Sequence, residues 1–228
     1  MKKIFRRAAL LTAVAAFFFA AHPIFGESKT DGASGASLEY VSALLAKNKI
    51  TRGNFTLEKR AAGRARALKS SGDFVISASL GIVWKTQKPI KAAQVMAKDF
   101  ALTESAGGKR VRIEASENPI YQQMALLTCA LWTDDLDAVK GAADIEFKSD
   151  GQFWQLRLVP KDAAIQLALE CIDVAGVCSG GDARVTEMKM LLKGGSSASY
   201  CMSGHSFGGE LSAQELSYFE DIPENKTK

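Results

Sequence analysis

The sequence predicts a mainly β fold of the α+β kind, built on one strongly curved antiparallel sheet. Three observations carry that expectation. About ten short segments alternate apolar and polar residues at the two-residue period of a half-buried strand. Two helical segments interrupt them near the middle of the chain. Glycine is frequent, at 19 residues, and proline scarce, at 5, which suits strands joined by tight turns. Many of the strands are apolar on one face only. In a closed barrel that face fills the interior, and in a partly open barrel it lines a cavity for an apolar ligand. Strand patterning leaves both arrangements open.

The length of 228 residues suits one or at most two domains. A hydrophobic fraction of 47% with 24% charged residues excludes a chain disordered throughout, a collagen-like fibre and a multi-span membrane protein. Residues 1–26 read as a secretory signal peptide. Lys2, Lys3, Arg6 and Arg7 precede the apolar run from Ala8 to Ala21, in which only Thr12 is polar. That run falls short of the roughly 20 residues needed to span a bilayer. The segment holds no acid, and its four cations account for the whole formal excess of +4, so residues 27–228 balance to zero. An exported, periplasmic protein is expected, without the positive field that nucleic-acid binding requires.

Residues 27–36 are small and polar and read as a flexible leader, residues 37–219 as a single domain, and residues 220–228 as a polar tail. Ser37 caps a helix over 38–47 whose Leu38, Val41, Leu44 and Leu45 share one face. Phe55 and Leu57 then alternate with polar neighbours as a strand. The basic stretch 59–69 reads as a solvated connection. Phe74 with Ile76, and Ile82 with Trp84, mark the next two strands. Further short strands are expected near 91–97, 100–104 and 110–114.

Asn118 and Pro119 open a second helix carrying Ile120, Met124, Leu127 and Leu131 at helical spacing. Thr133 is placed as the cap of a shorter helix with Leu136 and Val139. Strands return at 143–148 and 152–159, the second alternating Trp154, Leu156 and Leu158 with polar residues. Asp162 caps a short helix over 163–170, and strands follow at 171–177, 184–192 and 197–203. Ser212 and Glu215 form a capping box that opens a final helical turn.

Four cysteines, Cys129, Cys171, Cys178 and Cys201, permit two disulfides in an exported chain, or serve as small buried apolar residues. No metal-ligand spacing is present. Gly204-His205-Ser206-Phe207-Gly208 matches the G-x-S-x-G nucleophile elbow. A secreted serine hydrolase using Ser206 would need a histidine base after it in sequence, and none follows. A glycine-rich turn after a strand is the simpler reading. Asp134, Asp135 and Asp137 crowd a helix start, where capping explains them. Lys59, Arg60, Arg64, Arg66 and Lys69 read either as a solubilising loop or as a docking patch for an anionic membrane surface or partner.

Several segments together resemble the LolA family of periplasmic outer-membrane lipoprotein carriers. These are NFTLEK at 54–59, SSGDFVISASLGIVWKTQKP at 70–89, FWQLRLVPKD at 153–162, CIDVAG at 171–176 and RVTEMKM at 184–190. The order of these segments, over roughly residues 38–218, carries the likeness. The resemblance implies a half-open antiparallel barrel with a helical lid over an apolar cavity. It implies a monomer that takes lipidated protein cargo by its acyl chains from an inner-membrane ABC transporter to an outer-membrane acceptor. It implies neither enzyme activity nor a cofactor. Where the family carries an arginine, just before a proline, that latches the lid when empty, this chain reads Ser77-Ala78-Ser79.

A carrier of that shape must replace water around methylenes worth about 0.8 kcal/mol each. The inward strand positions expected to do so are Phe55, Leu57, Phe74, Ile76, Ile82, Trp84, Trp154, Leu156, Leu158, Met188 and Met190. Met124, Leu127 and Leu131 form the expected underside of the lid, and methionines suit a surface that repacks. The same side chains could instead pack as an ordinary filled core. A free lipid or glycolipid is the alternative cargo.

Overall fold

The structure is a computed structural model that describes residues 35–133 and 135–220. The expected signal segment, nearly all of the leader and all but the first residue of the tail lie outside the described residues. The chain begins with helix α1 (Leu38–Lys47), whose first turn is capped by Ser37 Oγ accepting from the Tyr40 N–H at 3.1 Å. Six strands follow as a meander: β1 (Ile50–Arg60), β2 (Leu68–Ser77), β3 (Gly81–Lys88), β4 (Ala92–Ala97), β5 (Phe100–Glu104) and β6 (Arg110–Glu114). Helices α2 (Pro119–Cys129) and α3 (Leu136–Ala142), with short 3-10 turns at 115–117 and 130–132, connect to the second meander. That meander holds β7 (Ala143–Asp150), β8 (Phe153–Pro160), helix α4 (Ala163–Gln166), β9 (Leu169–Ser179), β10 (Asp182–Leu192) and β11 (Ser197–Phe207). Helix α5 (Ala213–Leu216) is the last element and opens with the expected Ser212–Glu215 capping box.

All eleven strands belong to one antiparallel sheet in the order β6-β5-β4-β3-β2-β1-β11-β10-β9-β8-β7. The pairing of β1 with β11 joins the two meanders, while β6 and β7 remain as separate edges, so the sheet is strongly curved and does not close. The crossover that carries α2 and α3 runs from one edge to the other and packs on the sheet's inner face.

Two apolar layers result. On the inner face, Phe55, Phe74, Ile82, Leu156, Leu158, Ile172 and Met188 form one cluster with Leu127, Leu131 and Trp132 from the crossover and Val41 and Leu45 from α1. On the outer face, Val75, Val83, Val95, Phe100 and Leu102 pack under Tyr218, Leu211 and Phe219 of the C-terminal segment. Arg52 fastens that segment by donating to Glu215 at 2.7 Å and to the Glu210 carbonyl at 2.7 Å.

Several local expectations are corrected. The cap of α3 is Asp135, whose carboxylate accepts from the Ala138 N–H at 3.1 Å, and not Thr133. The helix after Asp162 is one turn long because Leu169 is already paired in β9. Strand β11 continues to Phe207 because Ser206 and Phe207 pair with Arg52 and Thr51. The connection expected over 59–69 shrinks to a turn at 61–67.

Candidate functional site

The inner face is filled at one end and hollow at the other. Alternation along the strands sets which residues point inward. Leu156 faces Val174, Val174 faces Met188, and Met188 faces Tyr200, giving a continuous inward row across four strands. Helix α1, the 130–132 turn, α3 and α4 plug this row with Leu45, Trp132, Val139 and Ile165. Trp154 joins it because Gly176, its cross-strand partner, leaves room: a Cβ there would collide with the indole ring.

The plug stops short of β4 and β5. Between these strands, α2 and the β10–β11 hairpin lies a cavity of about 900 Å³. Its floor is Trp84 from β3 and Tyr200 from β11, both nearly inaccessible to solvent. Phe55 and Phe74 lie against the floor rings, with Phe55 edge-on to Trp84 at 5.2 Å and Phe74 at 5.7 Å. Met96, Ala101 and Thr103 form one wall, and Met190, Leu192 and Ala198 the other. Burial in this aromatic cluster pushes the Tyr200 phenol up to about 12, so it stays neutral.

Helix α2 closes one side through Tyr121 and Thr128. The Tyr121 hydroxyl donates towards the carbonyls of Ala97, at 3.0 Å, and Phe100, which bracket the β4–β5 turn. That contact pins the helix to the sheet. At the position of the latch implied by resemblance, the Ser77 and Ser79 hydroxyls lie 3.3 Å apart. Thr128 is buried, and its hydroxyl has no hydrogen-bond partner among the described residues.

The mouth is basic. Lys59, Arg60, Arg64 and Arg66 line the same cavity, and no aspartate or glutamate does. They lie at the end of β1 and in the 61–67 turn, which is tied to the β10–β11 turn by the Ala62 N–H donating to Ser196 Oγ at 3.1 Å. Cavity and basic stretch, read as separate features of the sequence, are therefore one place.

Of the inward residues expected to line a cavity, Trp84 and Met190 do so. Phe55, Leu57, Phe74, Ile76, Ile82, Trp154, Leu156, Leu158 and Met188 are buried in the inner cluster. Leu127 and Leu131 of the crossover belong to that cluster and Met124 packs against it. Sequence reasoning missed Tyr121, Thr128, Tyr200 and the β4–β5 wall. The signal available for that wall was the alternation of Gln94 and Met96 with buried Val95.

Ser206 sits within β11, paired with Arg52, and not on a strand-to-helix elbow. Neighbours on a strand point to opposite faces, so His205 turns away from it. The His205 ring packs 5.5 Å from Phe74, where burial lowers its pKa. All four cysteines are free thiols. Among the described residues there is no cluster of His, Cys, Asp or Glu suited to a metal ion, and no helix is long and apolar enough to cross a membrane.

No protein-family model matches the sequence, and no curated protein matches it. Among solved structures, the chain is similar to a DUF1329 family protein from Desulfovibrio piger, at 14% identity and a TM-score of 0.47, covering 81% of this chain and 95% of that one. It is similar to a LolA superfamily protein from Nitrosomonas europaea, at 12% identity and a TM-score of 0.41, covering 80% and 95%. It is also similar to a domain from Vibrio parahaemolyticus, provisionally named an outer membrane lipoprotein-sorting protein, at 11% identity and a TM-score of 0.43, covering 79% and 96%.

Proposed function

We propose that this protein is a periplasmic carrier that shelters acyl chains in the Trp84–Tyr200 cavity while they cross an aqueous space. The observation that carries this reading is the cavity itself: about 900 Å³ left unfilled beside an otherwise close-packed inner core. Protein interiors fill to near crystal density, and voids beyond a few waters are uncommon without a ligand. Volumes of roughly 300–1,000 Å³ are those of ligand sites.

The volume bears on the cargo. With a methylene taken to fill about the 30 Å³ of a water molecule, a cavity of about 900 Å³ holds on the order of 30 methylenes. That matches the bulk of two acyl chains of ordinary length. Withdrawing them from water is worth about 0.8 kcal/mol per methylene. Thr128 supplies a buried hydroxyl with no acceptor, and a lipid ester carbonyl offers one. A two-chain free lipid therefore fits better than a triacylated lipoprotein, although a lipoprotein anchor inserting two of its chains uses the same site. The latter would make the protein a shuttle between an inner-membrane transporter and an outer-membrane acceptor.

Lipid extraction of the purified mature protein tests the reading. Stoichiometric recovery of a diacyl lipid supports it, and recovery of an acylated protein selects the lipoprotein form. A protein that neither copurifies with nor binds any acyl compound contradicts it.

A further inference from the structure

The rim of the cavity specifies a head group, an inference that rests on the acyl-carrier reading. Arg60 is already engaged, donating to Glu58 at 2.7 Å and to the Ala65 carbonyl at 3.3 Å. Lys59, Arg64 and Arg66 make no ion pair among the described residues. No carboxylate lines the cavity to offset them. Like charges gathered over eight residues repel one another, and the repulsion is relieved by a bound anion.

The charges also hang from a fixed support. The turn that carries Arg64 is closed by its own N–H donating to the Ala61 carbonyl at 3.1 Å. Gly63 takes the left-handed backbone, φ +68°, that the reversal requires. The bond from the Ala62 N–H to Ser196 joins the turn to the opposite hairpin. Guanidinium groups present planar forks that match phosphate oxygens two at a time.

We propose that the cavity selects a two-chain lipid with an anionic phosphate head group. Its acyl chains lie against Trp84 and Tyr200, and its phosphate is held at the mouth by Arg64 and Arg66 with Lys59 beside them. A zwitterionic lipid of the same chain length brings its own cation to a rim that already holds an excess of them, so it binds less well. Selection of this kind is a property of the monomeric lipid in the cavity and does not require a membrane surface.

The test uses delipidated mature protein and two fluorescent probes with identical chains, NBD-phosphatidylglycerol and NBD-phosphatidylcholine, each presented as monomer and in vesicles. The variant R64Q/R66Q changes two exposed turn residues, and its thermal midpoint checks the fold. Monomeric phosphatidylglycerol is expected to bind about tenfold tighter than phosphatidylcholine, with the gap closing in the variant. Phosphatidylcholine, which carries the same phosphate beside its choline cation, should lose less affinity in the variant than phosphatidylglycerol does. Equal affinities in the unaltered protein overturn the head-group assignment and leave the acyl-carrier reading standing. Failure to bind either probe overturns both. A preference that survives in R64Q/R66Q removes these arginines from the site. A preference seen only with vesicles makes the rim a membrane contact and overturns the proposal.

Discussion

The rings of Trp84 and Tyr200 lie 4.4 Å apart, centroid to centroid, although strands β2 and β1 separate β3 from β11. On a flat sheet three strand spacings would set their backbones about 14 Å apart. The rings meet because the sheet bends inward and both side chains lean across the fold line over Phe55. This contact ends the filled part of the inner face and begins the hollow part. The floor of the cavity is thus also a structural joint between the two meanders.

Replacing Trp84 should therefore show in stability as well as binding. Trp84→Ala removes contacts to Phe55, Phe74 and Tyr200 and is expected to destabilise the protein by about 3–5 kcal/mol. Trp84→Phe, which keeps a ring in place, should lose much less. Urea unfolding of the two variants measures the difference.

The outer-face clamp makes an acid-sensitive contribution. Hydrogen bonding to Arg52, helped by Ser212, holds the Glu215 carboxyl down from 4.5 to about 2. A lowered folded-state pKa stabilises the protein above the unfolded value and loses that contribution as pH falls towards 2. Allowing for solvent screening, Glu215→Gln should destabilise by about 1–2 kcal/mol at pH 7. The difference from the unaltered protein should nearly vanish at about pH 2, as read from urea midpoints at both pH values.

Asp173 is 2% exposed and accepts two hydrogen bonds from Arg157, at 2.7 and 3.0 Å. Arg157→Ala strands a buried carboxylate and should destabilise by about 3–5 kcal/mol. Arg157→Leu combined with Asp173→Leu removes both charges and should recover most of the loss. Denaturant midpoints of the single and double variants decide this.

Tyr121 holds α2 against the β4–β5 turn, and Cys129 at the end of the same helix is half-buried, with its Sγ 3.7 Å from the Met96 carbonyl. Burial pushes the Cys129 thiol up to about 12, so it should resist alkylation at pH 8. Tyr121→Phe removes one hydrogen bond, worth about 1 kcal/mol. The rate of iodoacetamide labelling at Cys129 should rise about fivefold, measured by peptide mass spectrometry.

Much of this architecture is legible in local patterns. The two-residue alternation of Trp154, Leu156 and Leu158 places β8 and its inward face, and Ser37 and the Ser212–Glu215 pair mark their helix starts. The division of the inner face is not legible, because Phe55 and Trp84 have the same local pattern. Only the position of α1 and the crossover on the bowed sheet separates a packed ring from a cavity floor. The rim is hidden for the same reason. Ala62 meets Ser196 across 134 positions of sequence, and that contact turns a basic loop into a cavity mouth. At the α3 start, Thr133 and Asp135 are both competent caps, and the backbone path selects Asp135.

The most direct test of the hollow is to fill it. Ala101, on the β5 wall, faces open volume, so Ala101→Trp grows into space without displacing the packed core. Lipid bound per protein, measured by native mass spectrometry on the unaltered protein and this variant, should fall at least tenfold while the thermal midpoint stays within a few degrees. Equal lipid loading of the two proteins, or a fold that collapses because no space was there to receive the indole, would contradict an acyl-chain site above Trp84 and Tyr200.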